Sequence, residues 1–232
     1  MLKHYRDKGW VHLKSVLLPR DVTALKYHGR VVSDINRDRI GEDAVYGVDK
    51  HWNGVCCAAM ERKHLWYFYT SPFMYDIVSE LLETKEPWLY NDQLVWKYPN
   101  DGFKFEPHCD SNAGNYQTAK HTINCLVFVD DVTEENGGIR MQNNDNGRWT
   151  ELYPKSGDIV CINGVTVHAS EPNVSEKVRG AYACVYSAEK LQKGKFYQMR
   201  FYDERKEGET NAKGWYLEKE RQEKLSGDES PE

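Results

Sequence analysis

Short apolar runs alternate with turn-forming residues between residues 88 and 188. Gly, Asn and Pro cluster in the separators at 99–102, 136–138, 143–147 and 155–158. Regularly spaced short strands with such turns between them are typical of an all-β sandwich or barrel. We therefore predict a mainly β core, with strands at 89–98, 123–129, 138–142, 149–152, 158–162, 165–168 and 180–186.

Helical signals are confined to the N-terminal third of the chain. They predict a short helix at 2–8, a strand at Trp10–Leu13 and a second helix that begins near Pro19, since Pro suits a first turn. A capping residue, Ser71, predicts a third helix that ends near Glu83. The buried stripe expected for this third helix is Phe73, Ile77, Val78, Leu81 and Leu82.

These patterns predict one domain over 1–202, in which a helical part at 1–87 packs against a β core at 88–188. A charged and partly disordered tail is expected at 203–232. Residues 34–64 show no clear periodicity, and a segment of that length without regular structure is more often functional than idle. We interpret it as a lid or a substrate-side insertion, with an ordinary loop packed by its aromatic residues as the alternative.

Composition excludes several classes of partner. The 232 residues carry a formal net charge of −5, so no basic field attracts nucleic acid. No apolar run approaches the roughly 20 residues that span a bilayer, and the first residues lack the apolar segment of a secretion signal. The six cysteines form no CxxC pair, which predicts free thiols in a reducing cytoplasm. A small-molecule partner is expected, and the sequence leaves the oligomeric state open.

A candidate metal site is formed by His108, Asp110 and the distant His168. Residues i and i+2 of an extended segment point to the same face, so His108 and Asp110 can reach one metal ion. Two histidines and one carboxylate that leave positions open are the ligand set of non-haem Fe(II) oxygenases. Arg179 follows on a later strand, and its planar guanidinium suits a carboxylate. Ser170, two residues after His168, can add a hydroxyl to that carboxylate.

Four motifs make the chain recognisable. They are YRDKGWVHL at 5–13, QLVWKYP at 93–99, DDVTEENGG at 130–138, and HASEPNVS at 168–175, which is followed by Arg179. Together they resemble the phytanoyl-CoA dioxygenase-like family of Fe(II)/2-oxoglutarate-dependent oxygenases, over residues 4 to about 187.

The resemblance implies a double-stranded β-helix, or jelly-roll, core with the N-terminal helices packed on it. It implies that His108, Asp110 and His168 hold Fe(II), and that Arg179 and Ser170 bind the C5 carboxylate of 2-oxoglutarate. Molecular oxygen is the second co-substrate.

Four further residues are candidates for the lining of the same pocket. The resemblance suggests Thr122 or Asn124, which share a face, as the companion of the co-substrate carboxylate. Gln93 and Lys97 point the same way on their strand and can line the pocket. A structural glutamine and a solvated lysine are the alternatives for that pair.

Two features narrow the chemistry. Related halogenases have Gly or Ala in place of the metal-binding carboxylate, so the presence of Asp110 favours hydroxylation or another oxidation. The chain has Asn143-Asn144-Asp145-Asn146-Gly147 where the family often has a GSH segment, and it shows no dedicated acyl-CoA site.

The function expected from these observations is oxidation of a small organic substrate, with release of succinate and CO2. A second enzyme hypothesis is hydroxylation of peptide or protein side chains. A hypothesis of another class is a non-catalytic cupin-like module that binds a metal or ligand. A hydrolytic zinc site is a weaker rival, because it gives Arg179 and Ser170 no purpose.

Overall fold

The computed structural model describes residues 1–35, 53–56, 58–60, 62–110 and 121–188. Most of the segment 34–64 and the predicted tail at 203–232 therefore lie outside the described residues. The described helices are α1 (Leu2–Lys8), α2 (Pro19–Ile35), α3 (Lys63–Tyr69) and α4 (Pro72–Leu82), with a 3-10 turn at Ala58–Met60.

Helix α4 begins and ends where the sequence predicts. Ser71 caps it, since its Oγ accepts a hydrogen bond from the Met74 backbone N–H at 3.2 Å. Its buried residues are Met74, Val78 and Leu81. The prediction was wrong for Phe73, which is 38% exposed, because Met74 occupies the core side of the first turn.

Two antiparallel sheets form the body of the protein, as expected for a jelly roll. The larger has the strand order β1-β8-β5-β10-β3-β2 and the smaller has the order β4-β9-β6-β7. The strands are β1 (Trp10–Leu13), β2 (Asn53–Cys56), β3 (Trp88–Lys97), β4 (Phe105–His108), β5 (Thr122–Phe128), β6 (Ile139–Gln142), β7 (Trp149–Leu152), β8 (Ile159–Asn163), β9 (His168–Ser170) and β10 (Arg179–Ser187).

The structure differs from the sequence prediction in several local elements. Strand β9 begins at His168 instead of residue 165, because Asn163 closes a turn by accepting hydrogen bonds from Val165 and Thr166. Strand β2 lies within the segment 34–64, which was predicted to be irregular, and helix α3 begins at the end of that segment. Strand β4 was not among the predicted strands.

The larger sheet separates two environments. Tyr182, Cys184 and Tyr186 on β10 belong to the core that the sheet forms with the N-terminal helices. The alternate residue Ala181 packs on the opposite face with Phe128 and with residues of the smaller sheet. Because side chains alternate across a strand, the inner face of β10 carries Arg179, Ala181, Ala183 and Val185.

The described part of the chain contains no helix with both the length and the apolar character that a membrane crossing requires. Cys109, Cys125, Cys161 and Cys184, all in the described part of the chain, are buried free thiols, as the sequence predicts.

Gly180 on β10 is paired with Trp96 on β3 and provides a test of how tightly the larger sheet is packed. A Cβ at this position would lie 1.9 Å from the Trp96 ring, so Gly180→Ala forces the ring or the strand to move. We expect a loss of about 1–3 kcal/mol in the free energy of unfolding, measured by urea denaturation. Trp96→Phe should restore part of that loss in the double variant. A Gly180→Ala variant as stable as the parent would contradict this packing.

Candidate metal centre and anion cradle

The three residues of the predicted metal site meet between the ends of two adjacent strands. His108 ends β4 and is paired in register with His168, the first residue of β9. Asp110 follows β4, and its Oδ1 lies 3.9 Å from Nε2 of His108 and 3.6 Å from Nε2 of His168. One ligand atom from each residue lies within 4.8 Å of the other two.

These separations suit a divalent metal ion after a small inward movement of the side chains. Ligands in adjacent octahedral positions, at about 2.1 Å from a metal, lie about 3 Å apart. Two imidazole nitrogens and one carboxylate oxygen are also the donor set expected for iron.

Backbone carbonyls orient both imidazoles. Nδ1 of His108 donates to the Glu106 carbonyl at 2.6 Å, and Nδ1 of His168 donates to the Thr166 carbonyl at 3.1 Å. A carbonyl can only accept, so each Nδ1 carries the proton and each Nε2 presents a lone pair to the metal position. Burial, followed by the charge of His168, lowers the pKa of His108 and favours the neutral form that binds metals.

Asn124 connects the larger sheet to this group. Its Nδ2 donates to Oδ2 of Asp110 at 3.1 Å, which leaves Oδ1 of Asp110 directed at the two histidines. Asn124 pairs with Val185 on β10, whereas Arg179 lies six residues further along, roughly 20 Å away at the rise of a strand. The backbone of Asn124 is therefore at the metal end of the inner face. Thr122, which pairs with Ser187, lies still further from Arg179.

Arg179 and Lys97 form a second polar group, which we call the anion cradle together with Ser170. The two basic residues are direct partners in the β3–β10 register, and both are buried. Nη2 of Arg179 donates to the Gly137 carbonyl at 2.8 Å, and Nζ of Lys97 donates to the carbonyls of Phe103 and Glu171 at 3.3 and 2.5 Å.

The anion cradle retains unused hydrogen-bonding capacity. Nε of Arg179 and Oγ of Ser170 are buried and have no hydrogen-bond partner in the part of the chain that the structure describes. Burial lowers the pKa of Arg179 to about 10, although Asp130 opposes the shift. Burial, followed by the charge of Arg179, lowers the pKa of Lys97 to about 7. Two buried cations side by side create a site that an anion can satisfy.

Gly137 contributes its carbonyl to the anion cradle and was not identified from the sequence as a site residue. Its φ is +96°, and a Cβ there would lie 2.7 Å from the Glu171 carbonyl oxygen and 2.8 Å from Cδ of Lys97. Only glycine can therefore occupy this turn without displacing the lysine. The available signal was the Asn-Gly-Gly turn, which marks a reversal but does not reveal what the turn packs against.

Phe103 and Phe105 also line the cradle, because Nζ of Lys97 lies 5.6 Å from the centroid of each ring. Their spacing of two residues matches a strand, but Phe103 precedes the strand that contains Phe105, and two apolar residues alone do not identify a site. Gln93 shares the face of Lys97, as predicted, and its Nε2 donates to Oδ1 of Asn91 at 3.4 Å.

The chain is similar to known proteins in both sequence and structure. Residues 94–186 match the family model described as the 2OG-Fe(II) oxygenase superfamily. The matched segment begins within β3 and ends within β10, so it contains most of the β core.

A curated relative is the 2-aminoethylphosphonate dioxygenase of Uncultured bacterium HF130_AEPn_1, which is 29% identical over 140 residues. The alignment covers 52% of this chain and 53% of the relative, so the chain spans about half the length of the curated relative that it matches.

Solved structures share the fold. The non-heme alpha ketoglutarate dependent carbocyclase SnoK from nogalamycin biosynthesis aligns with a TM-score of 0.77 at 19% identity, over 90% of this chain and 91% of that one. EctD from S. alaskensis, solved with 2-oxoglutarate and 5-hydroxyectoine, aligns with a TM-score of 0.74 at 14% identity, over 83% and 77%. These similarities establish the double-stranded β-helix.

Removal of the hydrogen bond from Asn124 to Asp110 should weaken metal binding. Asn124→Leu keeps the side-chain volume close to that of Asn but frees the carboxylate to rotate. We expect the affinity for Mn²⁺, measured by electron paramagnetic resonance titration, to fall roughly 10- to 100-fold. Asn146→Leu, in the exposed turn before Arg148, is the matched control and should leave the affinity unchanged. Equal affinities of the two variants would remove Asn124 from this role.

Proposed function

We propose that the protein is an Fe(II)- and 2-oxoglutarate-dependent oxygenase that oxidises a small organic substrate and releases succinate and CO2. The proposal rests on the observation that two polar groups share the interior between the two sheets. His108, Asp110 and His168 form a metal-binding set at one end, and a buried pair of cations with unused donors lies beyond it.

The metal-binding set contributes three ligands and leaves the remaining positions open for co-substrates. Bound iron would supply the redox chemistry that activates molecular oxygen. The protein fixes the ligand atoms before the metal arrives, since both imidazoles and the carboxylate are already held by hydrogen bonds. Preorganisation of this kind lowers the cost of assembling the site.

The anion cradle provides the means to hold the distal carboxylate of 2-oxoglutarate. Arg179 offers its unpartnered Nε, Ser170 offers its unpartnered hydroxyl, and Lys97 adds a second positive charge. Charge-assisted hydrogen bonds in a buried site are stronger than neutral ones. The cradle would therefore orient the co-substrate so that its 2-oxo acid end points towards the metal.

Several finer assignments extend this proposal. We assign the chain to the phytanoyl-CoA dioxygenase-like branch on the strength of its 130–138 and 168–175 motifs. A small polar substrate is favoured because the curated relative is named for a small aminophosphonate. A reducing cytoplasmic environment is favoured by the four buried free thiols.

The function is tested by anaerobic addition of Fe(II) and 2-oxoglutarate, with the visible charge-transfer absorption of the complex as readout. Wild type should develop this absorption, and His108→Ala should not. Arg179→Met should develop it at a 2-oxoglutarate concentration that is roughly 10- to 100-fold higher, since charge-assisted hydrogen bonds contribute about 1.5–3 kcal/mol. In air, slow substrate-independent succinate formation should follow the same order.

His4→Ala is the matched control, because His4 lies on α1 and contacts Trp10 outside the site. It should behave as wild type. Wild-type protein that binds metal but neither gives the absorption nor forms succinate would favour the non-catalytic module and would refute the oxygenase.

Lys97 makes 2-oxoglutarate binding depend on pH. With a pKa of about 7 in the free protein, Lys97 is mostly neutral at pH 8, whereas a bound carboxylate favours the charged form. Binding at pH 8 should therefore take up close to one proton and weaken as pH rises above 7, by up to about tenfold per pH unit. At pH 6, where Lys97 is already charged, the uptake should be small.

Calorimetry of 2-oxoglutarate binding in two buffers of different ionisation enthalpy measures this uptake. Lys97→Met should abolish it, whereas Lys104→Met, at an exposed ion pair with Glu106, should retain it. Uptake that persists in Lys97→Met would show that another group titrates.

A further inference from the structure

The inner face of β10 beside the metal-binding set is a floor of small residues between polar neighbours. Ala183 and Val185 form the floor. Asn124 on β5 borders it on one side, and Gln93 and Asn91 on β3 border it on the other. We call Asn91, Gln93 and Asn124 the amide shelf.

The strand register fixes the width of this floor. Asn124, Val185 and Asn91 stand in one row across β5, β10 and β3, and Ala183 and Gln93 stand in the next. Two strand spacings separate Asn124 from Asn91, which is roughly 9.5 Å between their backbones. Ala183 and Val185 have shorter side chains than the amides on either side, so the floor is lower than its two borders.

Asn124 supplies an independent sign that a ligand group belongs there. The residue is 9% exposed, and its buried Oδ1 has no hydrogen-bond partner among the described residues, while its Nδ2 is committed to Asp110. A buried acceptor left unpaired costs about 1–3 kcal/mol. A donor group of the substrate, lying over Val185, would remove that cost.

The opposite border is held in place by a bulge in β3. The register between β3 and β10 shifts at Val185, which leaves Tyr90 as the extra residue. The Tyr69 hydroxyl accepts from the Tyr90 backbone N–H and lies 2.9 and 2.6 Å from the carbonyls of Asn91 and Val185. Bulges beside active sites commonly redirect a side chain, here that of Asn91.

The shelf is electrically neutral, in contrast to the anion cradle. Lys97 lies four residues from Gln93 on β3, roughly 13 Å along the strand, so its charge belongs to the anion cradle and not to the shelf. Carboxamides both donate and accept hydrogen bonds. A charged group over the floor would lose its hydration without gaining an ion partner from the shelf.

We propose that the amide shelf binds an uncharged polar group of the substrate, one that carries both an N–H or O–H donor and an oxygen acceptor, such as a carboxamide or lactam. This inference rests on the proposed function, because it names the substrate group that sits beside the metal. Gln93 and Asn91 determine specificity, and Asn124 contributes through its free Oδ1.

The test measures proton relaxation of three small probes, acetamide, acetate and methylammonium, with protein loaded with Mn²⁺ and 2-oxoglutarate. Paramagnetic Mn²⁺ accelerates the relaxation of a probe bound nearby, and Zn²⁺-loaded protein provides the diamagnetic reference. Wild type should enhance the relaxation of acetamide several-fold more than that of acetate or methylammonium. Asn91→Leu should lose most of the acetamide effect.

Replacing Gln93 by Glu changes the charge of the shelf but hardly its size, and so tests whether the shelf selects probes by charge. Gln93→Glu should lose the acetamide effect and gain a methylammonium effect. Gln142→Glu, the same change beside the exposed turn at Gly147, should leave the wild-type order of the probes unchanged.

The outcomes separate the two proposals. Normal binding of Mn²⁺ and 2-oxoglutarate with no preference for acetamide would overturn the amide shelf and leave the oxygenase intact. A preference for acetate or methylammonium in wild type would overturn it as well. Absence of Mn²⁺ and 2-oxoglutarate binding would refute the proposed function, and the shelf proposal would fall with it.

Discussion

The register of β10 between β3 and β5 is the constraint on which the whole interior depends. A one-residue slip of a strand exchanges its two faces. Here it would turn Arg179 and Ala183 towards the helices and bring Tyr182 and Tyr186 into the site. Tyr182 and Tyr186 resist such a slip, because they are fully buried in the helix-facing core and their hydroxyls donate to Asp92 and to the Tyr69 carbonyl. Packing on one face thus fixes the chemistry on the other.

Lys97 and Arg179 illustrate the cost of this arrangement. Burial disfavours the charged form of each, which is why both pKa values fall, and the proximity of Arg179 adds to the effect on Lys97. Their hydrogen bonds go mainly to backbone carbonyls, so the free protein compensates the charges only in part. A bound dicarboxylate would supply the missing negative charge. The buried charges would thus lower the stability of the free protein and raise its affinity for the co-substrate.

Local signals in the sequence were sufficient for the framework. Ser71 and the regular turns predicted the capped helix and most strands, because caps and turns depend on neighbouring residues. Local signals failed where packing decides. Phe73 and Met74 are both apolar, and only the position of the helix on the sheet selects Met74 for the core. The start of β9 depends on the turn at Asn163, which no apolar pattern reveals.

In the candidate site, too, some features follow from local sequence and others depend on how distant strands pack. The residue types of His108, Asp110 and His168, and their order in the chain, predicted the metal-binding group. The pairing of Lys97 with Arg179 required the β3–β10 register, and so did the row that joins Asn124 to Asn91 across Val185. A sequence shows that a strand has two faces, but it does not show which residues of distant strands stand side by side.

Register also explains how one interior can accept two different molecules in a fixed orientation. Along β3 the inward residues change from the amides Asn91 and Gln93, through Val95, to the cation Lys97. An anion placed over Asn91 would lose its hydration without gaining an ion partner from the amide shelf, whereas a neutral amide placed at Lys97 would leave two buried charges uncompensated. Each molecule is therefore disfavoured in the other's position. The apolar Val95 between the two groups adds a short insulating step, so the order of polarity along a single strand can determine which end of the site receives the co-substrate and which receives the substrate.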